Sequence, residues 1–288
     1  MSRPSPSRTR ATYRSCIQAC VATLVGSLVS GPVAVALVEA THPQPRWAGP
    51  ETFARSFHPF QVVPYAGGLL LVFGLSSLLA SLHALALRRD RARATLALLF
   101  GAVFAAFVCL NYALQTSYVP SLARGYQPAD APLVDALSMS NPKSLAWALE
   151  LWGWGFAGLA TWLLASVFDG TPIERATRAA FVANGLFSVA GTLCAVLEPG
   201  WALTRLGLVA FTLWNVLFAS MAALALVAMR RRLLRLDALP EAALQAASPG
   251  HGAPGGGLIA STIGSPPLLE RPLAQPRPRT HVVPGGGV

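Results

Sequence analysis

The residue best placed to do chemistry is Glu150, which lies inside an apolar stretch spanning residues 145–168. An ionised side chain at membrane depth costs roughly 2.5–3.5 kcal/mol, so a carboxylate there is a candidate functional group by default. It can hold a polar ligand or exchange a proton with one. Five other polar side chains lie in or next to neighbouring apolar stretches and toward the same end of them, with Asn215 deeper than the rest: Asn111, Gln115, Glu198, Arg205 and Asn215.

These six residues support two interpretations. In the first, they form a polar pocket open to the outside, with Glu150 and Arg205 as its charged members, which binds a small polar ligand or a lipid headgroup. In the second, Glu150 pairs with Arg205, or bonds to Asn111 and Gln115, and only fixes how the helices pack. A pair between Glu198 and Arg205 across a short turn would be equally structural.

The function favoured by the sequence is non-enzymatic: a membrane protein that binds a small molecule or lipid headgroup, as a sensor, an accessory subunit or a transporter-like protein. One alternative is an enzyme acting on a lipid or isoprenoid at the outer leaflet, with Glu150 as general acid or base. That enzyme needs a second catalytic group, and the predicted outer loops offer Asp130, Asp135 and His58 without tying any of them to Glu150. A structural or assembly subunit of a membrane complex is the third alternative.

The elements that must position these residues are apolar runs of about 20 residues or more. At a rise of about 1.5 Å per residue, each run as a helix crosses a hydrocarbon core of about 30 Å. Helices are required because unpaired backbone groups are not tolerated in lipid. The sequence therefore predicts an all-α membrane bundle of about six transmembrane helices, at residues 16–38, 62–87, 94–114, 145–168, 172–197 and 202–229.

The two ends of the chain differ from this apolar bundle. Residues 1–15 are polar and basic, and residues 236–288 are rich in Pro, Gly and Ala, so both are predicted to be disordered. The first apolar run is longer than the core of a signal peptide, which favours an uncleaved helix. Gly31-Pro32, followed by small residues, leaves cleavage as an alternative that would remove the first span.

The distribution of basic residues predicts the orientation of the bundle. The predicted connections on one side, with the N-terminus and the end of the last span, carry 14 arginines, and the other side carries five basic residues. Basic residues concentrate on the cytoplasmic side of membrane proteins, so both termini are predicted to be cytoplasmic.

Helical spacing predicts which faces of the spans point into the bundle. Small residues mark where membrane helices pack closely, and Glu150 falls on such a stripe, so it is predicted to face the bundle interior. The predicted stripes are Ala146, Glu150, Gly153 and Ala157; Asn184, Ser188, Gly191, Ala195 and Glu198; and Arg205, Thr212, Asn215 and Ala219. Thr171, Pro172 and Glu174 form a predicted capping box that begins the fifth span.

Composition and motifs exclude several classes of protein. Only 12% of residues are charged while 53% are hydrophobic, a balance typical of a membrane protein. The net charge of +10 comes from arginines that flank apolar runs, so nucleic-acid binding is rejected. No phosphate-binding loop, paired haem ligands or metal-ligand spacing is present, and no cofactor or metal is predicted. The predicted partners are membrane lipids and a small-molecule ligand.

Several short motifs between residues 100 and 197 carry a resemblance. They are Asn111-Tyr112 with Gln115, Val119-Pro120-Ser121, Asn141-Pro142, and Trp147-Ala148-Leu149-Glu150 with Gly153. With these motifs, about a third of the chain resembles a group of uncharacterised bacterial multi-pass inner-membrane proteins of about six spans. The resemblance implies a bacterial inner-membrane location, and the group has no established activity to carry over.

Overall fold

The computed structural model describes residues 6–238, and every regular element in that part of the chain is helical. Six helices are long and four are short. In chain order they are α1 (Pro6–Leu28), α2 (Ala34–Thr41), α3 (Pro50–Ser56), α4 (Val63–Leu85), α5 (Arg91–Ala113), α6 (Val119–Arg124), α7 (Ala131–Leu137), α8 (Leu145–Leu164), α9 (Pro172–Leu197) and α10 (Arg205–Asp237).

The long helices pack side by side as a closed ring. Following the contacts around the ring, the order is α1, α4, α5, α8, α9, α10 and back to α1. Large side chains fill the middle of the bundle, with Leu75, Phe104, Phe218 and Met221 almost fully buried. The prediction of an all-α helical bundle is confirmed.

Five helical stretches are long and apolar enough to cross a membrane: Ser7–Thr41, Pro59–Leu85, Arg88–Arg124, Pro172–Leu197 and Arg205–Asp237. The fourth predicted span, α8, is not among them, because four tryptophans, three glycines and Glu150 lower its mean hydropathy. Its 20 residues reach about 30 Å, and it packs between α5 and α9 along its length. Neighbouring helices therefore cover much of α8, including Glu150.

The first helix begins at Pro6, inside the segment predicted to be disordered. Its early turns are held to the end of α10, since Arg10 Nε lies 2.8 Å from Asp237 Oδ1. Further along, Cys16 and Cys20 are completely buried in the main core. Contacts with other helices thus stabilise α1 across residues 6–15, which were predicted to be disordered because they are polar.

Helix α1 approaches α4 closely and then breaks. A Cβ added at Gly74 of α4 would lie 2.6 Å from the backbone nitrogen of Thr23, so only glycine permits this contact. Residues Val29–Val33 form a wide helical turn containing Pro32, and Gly31 leaves helical geometry at φ −93° and ψ −106°. Proline cannot donate the hydrogen bond that would continue a regular helix, which explains the break.

The interior face of α10 differs from the predicted stripe of small residues. Trp214, Phe218 and Met221 are buried, whereas Arg205 and Thr212 are exposed. The helix is turned because Trp214 and Phe218 pack edge to face against Trp154 of α8, with ring centroids 5.0 and 5.7 Å away. Burial of large aromatic rings outweighs close packing of small residues here.

Short helices cover one end of the bundle. The loop predicted at residues 115–144 contains α6 and α7, which pack with α3 around a small core of Phe53, Val119, Ala123 and Val134. We call this end, with the connections at residues 42–62, 125–144 and 198–204, the capped end. The opposite end, with the connections at residues 86–90 and 165–171, is the arginine-rich end.

Candidate functional site

Glu150 lies on α8 near the capped end and faces the bundle interior, as predicted, with only 9% of its surface exposed. Three side chains donate hydrogen bonds to its carboxylate. Tyr112 Oη lies 2.7 Å and Trp154 Nε1 2.8 Å from Oε1, while Asn111 Nδ2 lies 3.0 Å from Oε2. The carboxylate is therefore held in one position by donors from α5 and α8.

A second layer of hydrogen bonds fixes Asn111. Gln115 Nε2 donates to Asn111 Oδ1 at 3.3 Å and to the carbonyl of Leu137 at 2.7 Å. Gln115 Oε1 accepts the backbone N–H of Met139 at 3.2 Å. Gln115 thus binds Asn111 and the chain after α7 rather than Glu150 itself. The bond between Glu150 and Asn111 that the structural interpretation predicted is present.

The donors around Glu150 are all neutral. Neither a Glu150–Arg205 pair nor a Glu198–Arg205 pair occurs among the ion pairs of residues 6–238. Arg205 and Glu198 are exposed, because α10 turns its aromatic face inward and α9 ends at Leu197. The sequence predicted that they lie near Glu150 because they fall toward the same end of their helices. In the structure their side chains point outward, whereas Glu150 points into the bundle.

A cavity of about 350 Å³ opens beside Glu150 in the half of the bundle nearer the capped end. The broken turn between α1 and α2 lines one side, with Ser30 and Gly31, and α9 lines another, with Ser188 and Gly191. Residues of α4, α5, α8 and α10 complete the wall. Ligand pockets commonly have volumes of roughly 300–1,000 Å³, so this space suits a small molecule.

Aromatic rings make up much of the wall. Trp154 and Trp214 meet edge to face with centroids 5.0 Å apart, and Tyr65 and Tyr112 lie 5.9 Å apart. Trp214 is oriented by its own hydrogen bond, since its Nε1 lies 3.0 Å from Ser188 Oγ. All four rings line the cavity.

Two further polar groups face this space. Asn215, one of the predicted site residues, lines the cavity and donates to the carbonyl of Phe211 at 2.8 Å. Trp201 also lines it, and its Nε1 is buried without a hydrogen-bond partner in the part of the chain described here. A ligand acceptor placed beside Trp201 would satisfy that donor.

The sequence singled out Glu150 and Asn215 but not the aromatic residues of the wall. Trp is common at membrane interfaces, so a tryptophan in an apolar span does not by itself indicate a binding site. Trp154 lies four residues after Glu150, a spacing that places both on one helix face. That spacing was the available signal, whereas the contribution of Tyr65 and Trp214 depends on the tertiary fold.

The residues considered as second catalytic groups lie elsewhere. Asp130 Oδ2 accepts the backbone N–H of Gln127 at 2.9 Å, and Asp135 Oδ1 accepts a bond from Asn141 Nδ2 at 3.1 Å. His58 stacks on His42 with centroids 3.3 Å apart. None of the three is hydrogen-bonded to Glu150 in the described chain, and no group of three His, Cys, Asp or Glu residues between positions 6 and 238 is arranged to hold a metal ion.

The arginine-rich end is closed by a second charged cluster. Glu174 Oε1 lies 3.0 Å from Arg232 Nε and 3.1 Å from Arg235 Nη2. Arg232 also donates to the carbonyl of Val167 at 2.9 Å and lies over the ring of Phe168. The cluster joins α10 to the start of α9, so it closes the bundle at the end opposite the cavity.

Comparisons of this chain with protein-family models, with curated proteins and with solved structures find no match. The resemblance noted from the sequence motifs therefore stays a prediction.

Proposed function

We propose that this chain is a multi-pass protein of the bacterial inner membrane that binds a small molecule in the cavity beside Glu150, without catalysing a reaction. The observation that carries the proposal is the position of Glu150. Its carboxylate lines a cavity large enough for a ligand, and every side chain that holds it in place is neutral.

Access to the cavity from the cell exterior is part of the proposal. The charge distribution supports it, because 13 of the 14 arginines on the predicted inner side fall within residues 6–238 and lie at the arginine-rich end, whereas the cavity lies near the capped end. Both termini would then be cytoplasmic. Such a pocket would serve a sensor, an accessory subunit or a transporter-like protein, and a helix break like the one between α1 and α2 is a feature of transporter binding sites.

Catalysis has less support than binding. General acid–base chemistry on a lipid needs a proton donor or acceptor close to the reacting atom, usually with a partner group. The groups bonded to Glu150 are Tyr112, Trp154 and Asn111, which fix the carboxylate in position. A purely structural role explains these bonds but not the open space beside them, which a packing residue does not need.

The test is mass spectrometry of small molecules and lipids that co-purify with the protein from native membranes. Two variants change the cavity: Glu150→Gln removes its buried charge, and Gly191→Leu fills space, since the nearest atom to an added Cβ at Gly191 is Trp201 Cζ2 at 3.6 Å. Their matched controls are Glu198→Gln and Ala190→Leu, which change exposed neighbours outside the cavity.

We expect a specific species with the wild type and both controls, reduced by about 10-fold or more in both cavity variants, a change of about 1.4 kcal/mol in binding. A species that is retained by Glu150→Gln and Gly191→Leu alike would be bound elsewhere and would contradict the proposal. If no species exceeds background in any sample and none of a panel of cationic, neutral and anionic probes binds the wild type, the structural role of Glu150 is the better explanation.

A further inference from the structure

The wall of the cavity has the opposite charge to the chain as a whole. The chain carries a formal net charge of +10, yet among the described residues that line the cavity there is no lysine or arginine. Two carboxylates line it: Glu150 inside and Glu39, which is exposed, on α2 beside the break. An anionic group placed beside Glu150 would meet negative charge without a basic partner.

The groups around Glu150 donate hydrogen bonds to its carboxylate, and one acceptor position of the carboxylate is left unused. Trp154 Nε1 and Asn111 Nδ2 can only donate, as an ionised carboxylate requires, and Asn111 is oriented by its bond from Gln115. An ionised carboxylate has about four acceptor positions, and three hydrogen bonds use most of them. The remaining capacity lies on Oε2, which receives one bond, whereas Oε1 receives two.

A buried carboxylate surrounded only by neutral donors lacks a compensating charge. Buried charges in proteins are usually paired, because neutral hydrogen bonds offset only part of the cost of removing water. The protein supplies no cation at Glu150 in residues 6–238. A positively charged ligand would provide the missing partner.

The aromatic wall suits the same kind of ligand. Cations are attracted to the faces of Trp and Tyr rings, and groups of such rings recognise quaternary ammonium ions. Trp154, Trp214, Tyr65 and Tyr112 surround the space beside Glu150, and two of them also donate to its carboxylate. One charged oxygen ligand among aromatic rings would not satisfy an inorganic cation, which prefers several oxygen ligands.

We propose that the cavity binds an organic cation, a quaternary ammonium or protonated amine with an apolar body, with Glu150 as its counter-ion and the aromatic rings around its charged head. This inference rests on the proposed function and specifies its ligand class. The ammonium group belongs either to a free small molecule or to the headgroup of a zwitterionic lipid. Both sources present the same chemistry to the wall.

The experiment compares three probes of similar shape and different charge on the full-length protein in maltoside micelles. Benzyltrimethylammonium is the cation, neopentylbenzene is its uncharged isostere, and phenylacetate is an anion. Binding is followed by tryptophan fluorescence, since Trp154 and Trp214 line the cavity, and by thermal shift. Each titration is repeated with Glu150→Gln and with Glu198→Gln as the exposed control.

We expect the wild type and Glu198→Gln to bind the cation about 10-fold or more tightly than the isostere, and the anion not at all. Glu150→Gln should lose that preference while its affinity for the isostere stays unchanged. Displacement of the cation by dioctanoyl-phosphatidylcholine but not by dioctanoyl-phosphatidylglycerol would assign the ammonium to a lipid headgroup. Displacement by neither lipid would assign it to a free small molecule.

Two results would overturn the inference in distinguishable ways. If the isostere binds the wild type as tightly as the cation does, or the anion binds best, the cavity binds a ligand but not a cation, and only this inference fails. If no probe binds and no species co-purifies with the wild type, the proposed function fails with it.

Discussion

The indole nitrogen of Trp154 and the carboxylate of Glu150 lie one helical turn apart on α8 and are joined by a 2.8 Å hydrogen bond. The same oxygen of Glu150 accepts the hydroxyl of Tyr112, which connects α8 to α5. Trp154 in turn packs on Trp214 and Phe218 of α10. One buried carboxylate therefore orients two rings of the cavity wall, Tyr112 and Trp154, and joins α8 to α5, while Trp154 packs against α10.

Tyr112→Phe should destabilise the protein, because it removes a donor from the buried carboxylate and keeps the ring. Hydrogen bonds to charged groups contribute roughly 1.5–3 kcal/mol, and we expect a loss in that range. The control is Tyr118→Phe, at an exposed tyrosine six residues later, which should change stability little. Unfolding in mixed micelles of increasing denaturing detergent measures both variants. Equal stability of Tyr112→Phe and wild type would show that this bond contributes little.

The sequence predicted helices and their starting points more reliably than it predicted which side of each helix faces inward. Apolar runs predicted an all-helical bundle, and Thr171 caps α9 with Glu174 as predicted. Helical spacing correctly predicted that Glu150 faces the bundle interior. It wrongly placed Arg205 and Thr212 on the interior face of α10. Helix α10 has apolar residues around most of its circumference, so spacing alone could not indicate which face would pack against α8.

No helix was predicted between the third and fourth spans, yet α6 begins there with Val119-Pro120 and α7 with Ala131-Pro132. Proline is well tolerated in the first turn of a helix, where its missing N–H has no partner to lose. The cavity was harder to predict, since its wall combines residues from six helices. It depends on the break at Pro32 and on the inward rotation of Trp214, and both are tertiary features.

Gly74→Ala should separate α1 from α4, since the added methyl would lie 2.6 Å from the backbone nitrogen of Thr23. Backbone cannot move aside as a flexible side chain can, so we expect a loss of about 1–3 kcal/mol by overpacking. The matched control is Gly191→Ala, where the nearest atom is 3.6 Å from the added carbon. Thermal stability in micelles should fall for the first variant only, and equal values would show that α1 is loosely packed.

Arg232→Gln should weaken the closure of the arginine-rich end. Arg232 is largely buried and contacts both Glu174 and the carbonyl of Val167, so its loss leaves Glu174 with Arg235 as its one basic partner among residues 6–238. We expect a destabilisation of about 2 kcal/mol, the scale of a hydrogen bond to a charged group. Arg231→Gln, at the exposed neighbour, is the control and should be close to neutral. Denaturant unfolding compares the two, and similar losses in both would indicate a general effect of charge.

The mature protein should keep its first helix. Cleavage near Gly31-Pro32 would remove Cys16 and Cys20, which are completely buried, and would open the ring between α4 and α10. Intact-mass measurement of protein purified from membranes should therefore find α1 present, and peptide mapping should recover residues before Val29. A mature N-terminus between residues 31 and 40 would show that the first run is a signal peptide and that the bundle has one helix fewer.

The orientation of the bundle can be tested with Lys143, which is the single lysine of the chain. Lys143 is exposed at the capped end, just before α8 begins. If the arginine-rich end is cytoplasmic, as the charge distribution predicts, an amine-reactive reagent that cannot cross membranes should label Lys143 in intact spheroplasts. Peptide mass spectrometry separates this label from any on the N-terminal amine.

The matched control moves the single lysine to the other end of the bundle. A double variant, Lys143→Arg with Arg93→Lys, keeps the net charge and places the amine at an exposed position near the start of α5. This variant should be labelled only after the membrane is permeabilised, whereas the wild type should be labelled equally before and after. The reverse pattern would place the capped end, and with it the cavity, on the cytoplasmic side, and a ligand would then have to come from inside the cell.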